Sequence, residues 1–182
     1  MLKTLKRVFN DSIWRYNIKV ISVYLLWKVF HRFVVNSSGS MHVFWLHVVQ
    51  LIGTFYAKVV AAVLRFLGEQ VIQKGIGFQF YPSLRIVYVE EHCLALPAML
   101  IFGSAIILYG CNGKAKLWFV LMGFCAIILL NILRLVFVGL SFQYFTNFYF
   151  SLNHSFIYVA ITYTLIFLMI AYWMQKSKTW VS

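Results

Sequence analysis

The feature that most constrains this chain is an apolar run, Leu117–Phe142, that contains a single charged residue, Arg134. At about 1.5 Å per residue, a helix of this length is long enough to cross a lipid bilayer. Since a charge inside a bilayer costs free energy unless it is held by protein or reaches the headgroups, Arg134 is a candidate functional residue. Asn131 lies three residues earlier on the same helical face, so both side chains should point together into a protein interior or a hydrated cavity. The alternative is an arginine that only snorkels to the headgroups.

The composition indicates a multi-pass membrane protein. Of its 182 residues, 63% are hydrophobic and 11% are charged, and the mean hydropathy is +0.84, outside the range of soluble domains. The net charge of +12 indicates basic residues that lie in cytoplasmic loops and contact anionic headgroups. It is not taken to indicate nucleic-acid binding. The three cysteines, Cys93, Cys111 and Cys125, are expected at different levels of the membrane, which argues against a disulfide framework.

The distribution of basic residues predicts a single membrane domain over residues 1–182 with about four transmembrane helices. The basic N-terminal segment 1–17 and the tail 173–182 are both expected in the cytoplasm. Within the first span, Lys28 fits poorly among apolar neighbours. The four predicted spans are 18–35, 94–110, 117–142 and 155–172.

The segment 41–67 is expected to be an amphipathic helix that lies in the outer membrane interface. Its polar side chains recur at helical spacing on one face: His47, Gln50, Thr54, Lys58 and Arg65. A stripe of this kind suits a helix at the interface better than one surrounded by lipid. An even number of spans also keeps both basic ends on the cytoplasmic side. The rival topology has five spans and an external N-terminus.

Residues 68–92 read as a short external β-hairpin. Two strand-like stretches, Ile76–Phe80 and Arg85–Val89, are joined by Tyr81–Leu84, in which Pro82 supplies the fixed φ of a turn. The predicted fold class is therefore an all-α multi-pass membrane protein with an interfacial helix and this hairpin.

Three chemically capable residues are expected on the same, external side of the membrane: Cys93, Arg134 and His154. Cys93 should lie at a helix N-terminus, where backbone N–H groups and a nearby cation favour the thiolate. His154 would act as acid and base, and Arg134 would stabilise an oxyanion. Each also has a structural alternative: a small apolar filler for the cysteine, a snorkelling cation for the arginine, and an interfacial or capping residue for the histidine.

Residues next to Cys93 leave further alternatives open. His92 could replace His154 as the partner of the thiol, although neighbours in a helix point about 100° apart, which favours His154. Glu90 and Glu91 either orient a histidine or solvate the loop, and solvation is the favoured interpretation. No ligand spacing supports a metal site, and no cofactor is expected.

The order of these motifs resembles that of the exosortase/archaeosortase family. An acidic stretch precedes the cysteine in Val89–Cys93, Asn131-Ile-Leu-Arg134 follows late in the next helix, and His154 opens the last one. The resemblance implies that Cys93 is the nucleophile, Arg134 the stabiliser of the oxyanion or thiolate, and His154 the acid and base. Family members commonly carry a Ser-Gly or similar small pair after the cysteine, where this chain has Leu94-Ala95.

The function implied by this resemblance is that of a membrane-embedded cysteine transpeptidase or peptidase. Its expected partners are membrane lipids and exported proteins that end in a short motif, a transmembrane helix and a basic tail. The protein would lie in the cytoplasmic (inner) membrane with its active site facing outward. The alternatives from other functional classes are a small transporter, which would need polar groups across the whole bilayer, and a non-catalytic membrane assembly factor.

Overall fold

A computed structural model describes residues 12–109, 113–144 and 158–179. This part of the chain is mostly helical and contains one small sheet. Its helices are α1 (Ser12–Asn36), α2 (Ser40–Phe66), α3 (Leu96–Leu108), α4 (Gly113–Tyr144) and α5 (Tyr158–Thr179). Its strands are β1 (Val71–Lys74), β2 (Gly77–Phe80) and β3 (Ile86–Tyr88), and a 3-10 helix, Glu91–Cys93, lies between β3 and α3.

Helix α2 separates polar from buried side chains as its sequence predicts. Its buried face consists of Gly53, Tyr56, Ala57, Val60, Ala61 and Leu64. The polar stripe lies on the other side, with Lys58 and Arg65 exposed and Thr54 half-buried. The buried face packs against β1 and β2, so the sheet, and not only lipid, covers the apolar side of this helix.

The predicted hairpin is confirmed, but the sheet has one strand more than the sequence predicts. Strands β2 and β3 pair antiparallel, with Phe78 opposite Val87. Strand β1 was missed; it pairs antiparallel with β2 and places Val71 opposite Phe80. The signal for it is weak because it is only four residues long and includes a glutamine and a lysine. Gly75, at φ 61°, occupies the left-handed conformation that the turn between β1 and β2 requires.

Two clusters of buried side chains hold these elements together. The sheet-side core joins α2, the sheet, the Cys93 turn and the second half of α4; its largest members are Tyr56, Leu64, Phe78, Phe80, Leu94 and Leu135. The three-helix core joins α3, the first half of α4 and α5 through Ala98, Phe102, Ile106, Val120, Ile127, Ile166 and Trp173. Helix α4, which contains the apolar run 117–142, therefore takes part in both cores.

Two helices of the described chain, α2 and α4, are long and apolar enough to cross a membrane. Helix α3 is apolar but shorter. Helix α1 is not in this group, because Lys19, Lys28 and Arg32 interrupt its apolar sequence. The four-span topology and the interfacial position of α2 therefore stay predictions.

Candidate active site

Cys93 is the last residue of the 3-10 helix that follows β3, and its side chain is buried. Its N–H donates a hydrogen bond to the carbonyl oxygen of Glu90 at 2.9 Å. Helix α3 begins only at Leu96, with Pro97 in its first turn. The prediction that Cys93 lies at the N-terminus of this helix is therefore wrong, because Cys93 precedes its first residue by three positions.

The break between Cys93 and α3 occurs at Ala95. This residue is the N-cap of α3 and adopts the left-handed conformation, with φ 56° and ψ 16°. An L-residue with a side chain pays about 1–2 kcal/mol for that conformation, whereas glycine adopts it readily. The small pair expected here from the family resemblance would suit this conformation, because glycine adopts it without that cost. In this chain Leu94 is instead buried in the sheet-side core.

Asn131 connects α4 to the backbone of the nucleophile candidate. Its Nδ2 donates a hydrogen bond of 2.6 Å to the carbonyl oxygen of Cys93, and the residue is 5% exposed. Its side chain also lies close to the hydroxyl group of Tyr56 on α2. The sequence marked Asn131 as half of a polar pair, but its bond to the Cys93 backbone was missed. A buried asparagine in an apolar helix indicates that a hydrogen-bond partner is present, but the sequence does not show which group it is.

Arg134 lies one turn further along α4 and half-buried. Its Nε is buried, and no residue of the described chain accepts a hydrogen bond from it. Its positive charge acts on the thiol of Cys93 and favours the thiolate there. Such a placement favours an arginine held beside Cys93 over one that only snorkels to the headgroups.

Burial raises the pKa of the Cys93 thiol above its ordinary value, and the opposing charge of Arg134 lowers it by less. Removal of a thiolate from water outweighs one neighbouring cation. The expectation that the surroundings of Cys93 favour its thiolate therefore does not fit this arrangement. A thiol whose pKa is raised in this way needs a base to remove its proton before it can attack a carbonyl carbon.

The candidate bases are not placed by the structure. His154 lies outside the described residues, and so does Cys111. The backbone of His92 belongs to the 3-10 helix, but its side chain is not described. Of the three predicted site residues, the structure thus brings together Cys93 and Arg134. Cys125 lies exposed on α4.

Glu91 corrects another expectation. Its Oε1 forms a hydrogen bond with Nε2 of His31 on α1, and it accepts a hydrogen bond of 3.1 Å from Nε1 of Trp45 on α2. The favoured interpretation, that this glutamate only solvates the loop, is wrong. Glu91 orients a histidine, and it ties the turn that carries Cys93 to two helices.

Taken together, the described residues form a buried thiol whose backbone is held by Asn131 and whose neighbour is a half-buried guanidinium. Arginine offers planar, fixed donors that suit an oxyanion or a thiolate. The arrangement is able to stabilise the negative charge that forms when a thiol attacks a peptide carbonyl. It lies where the sheet-side core meets the start of α3.

One sequence comparison identifies the family of this chain. The family model described as "Transmembrane exosortase" matches residues 25–174 of the chain, and this range includes Cys93, Arg134 and His154. No significant match is found among curated proteins or among solved structures. The match covers most of the 182 residues and confirms the resemblance carried by the three motifs. The chain therefore belongs to the transmembrane exosortase family.

Proposed function

We propose that this protein is a membrane-embedded cysteine transpeptidase or peptidase that processes exported proteins through a thioester at Cys93. Membership of the transmembrane exosortase family supports the general activity, that of a membrane transpeptidase. The observation that carries the assignment to Cys93 is the half-buried guanidinium of Arg134, whose positive charge acts on the buried thiol within the matched region. Cys125, the other cysteine among the described residues, lies exposed on α4.

The proposed reaction has two steps. Sγ of Cys93 loses its proton to a base, for which His154 is the first candidate, and attacks the carbonyl carbon of the scissile peptide bond. The C–N bond then breaks, and the departing amine takes up the proton, which leaves a thioester on Sγ. Water or an acceptor amine attacks this thioester and releases the thiol, so that the enzyme returns to its starting state.

In this scheme Arg134 stabilises the oxygen that becomes negative during both attacks. Its buried Nε has no acceptor within the described chain, so a donor remains for a substrate oxygen. The raised pKa of Cys93 fits a thiol that is activated only when a base and a substrate are both in place. A thiol kept protonated at rest is also less readily oxidised, because the thiolate is the reactive form.

The proposed substrates are exported proteins that end in a short motif, a transmembrane helix and a basic tail, and cleavage takes place on the outer side of the cytoplasmic membrane. The substrate helix would lie in the bilayer, and its basic tail would lie in the cytoplasm. This orientation rests on four spans with both termini inside. Single cysteines placed at Ser38 and Gln73 should react with an impermeant reagent from outside, whereas one at Lys114 should not. Labelling of Gln73 only from the cytoplasm would contradict the orientation.

The catalytic proposal is tested by replacing Cys93 with Ala and with Ser and by following an exported substrate in cells. Both variants should insert into the membrane and leave the substrate uncleaved. The matched control is Cys125→Ala, which removes an exposed thiol from the same protein and should process normally. Normal processing by Cys93→Ser would instead indicate a non-catalytic membrane assembly factor.

A further inference from the structure

A cavity of about 560 Å³ lies beside the Cys93 turn, between α1 and the start of α3. Side chains of α1 form one wall, among them Lys28, His31 and Arg32. Glu91, Leu96 and Pro97 line the opposite side. Because Cys93 is not part of this lining, the cavity and the candidate thiol are neighbours that share one turn of the chain.

The spacing of the basic residues explains why they meet here. Lys28, His31 and Arg32 follow one another at steps of three and one, so they lie within one turn on one side of α1. Lys28 fits poorly into an apolar span when it is considered alone. In the structure Lys28 lines a cavity together with other polar side chains. A cation in a membrane helix is expected at such a cavity.

The charges that line the cavity do not cancel. Glu91 is the acidic residue among the described lining side chains, and its carboxylate is hydrogen-bonded to His31. Within the described ranges, neither Lys28 nor Arg32 has a carboxylate at ion-pair distance. The ammonium of Lys28 lies 5.6 Å from the ring centre of Tyr24, a contact that leaves its N–H donors free for another acceptor. The cavity therefore offers two positive charges to an anion.

The surface next to these cations is apolar and exposed. Leu25 and Val29 are 55% and 69% exposed, and they lie three residues from Lys28 and Arg32 respectively on the same helix. A free anion would use the cations alone. An amphiphile would use the cations for its headgroup and the exposed leucine and valine for its chains.

We propose that this cavity binds the phosphate of an anionic phospholipid, with the acyl chains lying along Leu25 and Val29. Arg32 is suited to a phosphate because its planar donors match two phosphate oxygens, and Lys28 adds a point charge. A bound headgroup would hold the side of α1 that lines the cavity in place. This side includes His31, which is hydrogen-bonded to Glu91. The inference does not depend on Cys93 being a nucleophile, because binding is measured without turnover.

The test is native mass spectrometry of the full chain in detergent, titrated with phosphatidylglycerol or with zwitterionic phosphatidylcholine. The wild type should bind phosphatidylglycerol more tightly than phosphatidylcholine. The double variant Lys28→Gln/Arg32→Gln should bind it about 30-fold more weakly, since each basic residue contributes about 1 kcal/mol near an anionic headgroup and about 1.4 kcal/mol is tenfold.

Two further variants keep the result interpretable. The matched control Lys19→Gln/Lys74→Gln removes the same charge from exposed positions outside the cavity and should bind as the wild type does. The exchange Lys28→Arg/Arg32→Lys keeps both charges and should retain most of the binding. This exchange separates loss of charge from loss of folding.

Three outcomes would overturn the proposal. The first is equal binding of phosphatidylglycerol by the wild type and by Lys28→Gln/Arg32→Gln. The second is displacement of the lipid by inorganic phosphate at comparable concentration, which would identify a site for the free ion. The third is displacement by a short acidic peptide more readily than by lipid, which would make the cavity a peptide site.

Discussion

The two cores of this protein are built on the same helix but enclose different chemistry. The three-helix core is apolar and aromatic; for example, the rings of Phe119 and Trp173 lie 4.6 Å apart between α4 and α5. The sheet-side core includes Cys93 and adjoins polar groups. The two polar residues that are buried in the described chain, Asn131 and Ser141, both lie on the half of α4 that belongs to it.

This difference shows how one long apolar helix supports both packing and a reactive site. Burial of a polar group is costly unless the group finds a partner, so polar side chains occur where backbone or side chains can pair with them. The sheet and the 3-10 helix bring a carbonyl oxygen to Asn131. The three-helix core brings mainly side chains of apolar helices to α4. Among the described residues, a site for chemistry is therefore expected on the sheet side.

The largest effect is expected at Arg134. We expect Arg134→Ala to lower substrate processing by about 10²–10³-fold, the range found when one donor to an oxyanion is removed. Arg134→Lys should be nearly as damaging, because lysine keeps the charge but not the planar pair of donors. The matched control is Leu133→Ala, an exposed neighbour on α4 that should process normally. Near-normal processing by a folded Arg134→Lys would show that charge alone matters.

The same variants should change the pH dependence of Cys93 alkylation. Burial raises the pKa of this thiol and Arg134 lowers it, so loss of the guanidinium should move the profile to higher pH. The wild type should itself reach half of its maximal rate above the pH of about 8.5 that is typical of free cysteine. An Arg134→Ala profile that coincides with the wild type would mean that this charge does not act on the thiol.

A smaller effect is expected at Asn131, and it separates the two cores directly. Asn131→Leu leaves the carbonyl oxygen of Cys93 without its donor, which should lower the free energy of unfolding by about 1–3 kcal/mol. It should also slow processing, because the Cys93 turn is no longer fixed to α4. In the matched control Ser104→Ala, a hydrogen bond of 3.1 Å to Ile101 is lost on α3. If Ser104→Ala slowed processing as much as Asn131→Leu, the distinction between the cores would fail.

Two glycines of α4 offer a matched test of packing. A Cβ at Gly123 would overlap the ring of Phe102 in the three-helix core, and a Cβ at Gly139 would lie 2.9 Å from the ring of Phe78 in the sheet. Both alanine variants should lose about 1–3 kcal/mol of unfolding free energy, measured by thermal unfolding in detergent. Only Gly139→Ala should also reduce processing by the folded fraction, since it displaces the sheet beneath the Cys93 turn. Equal losses of processing would contradict this.

The smallest effect is expected at Ala95. Replacement by glycine removes the cost of the left-handed conformation and should raise the free energy of unfolding by up to about 1 kcal/mol. The control Ala62→Gly, on an exposed position within α2, should lower it by about 1 kcal/mol. A destabilising Ala95→Gly would show that the turn after Cys93 differs from the one described.

The sequence predicted what depends on local periodicity. The helix around 117–142, the pairing of β2 with β3 and the polar stripe of α2 were all visible as patterns of apolar and polar residues. The contact between His31 and Glu91 could not be predicted, because these residues are 60 positions apart and nothing in the sequence around either residue indicates the other. The position of Cys93 outside α3 was missed for a local reason. The break depends on the left-handed backbone conformation of Ala95, which alanine rarely adopts.

The most direct test of the account is to trap the acyl-enzyme. The protein is incubated with a peptide that carries a substrate cleavage site, quenched in acid, digested and analysed by mass spectrometry. We expect the acyl group on Cys93, labile to hydroxylamine as a thioester is, and absent from Cys93→Ala. An adduct on Cys125, or peptide cleavage by Cys93→Ala at the wild-type rate, would contradict the assignment of Cys93 as the nucleophile.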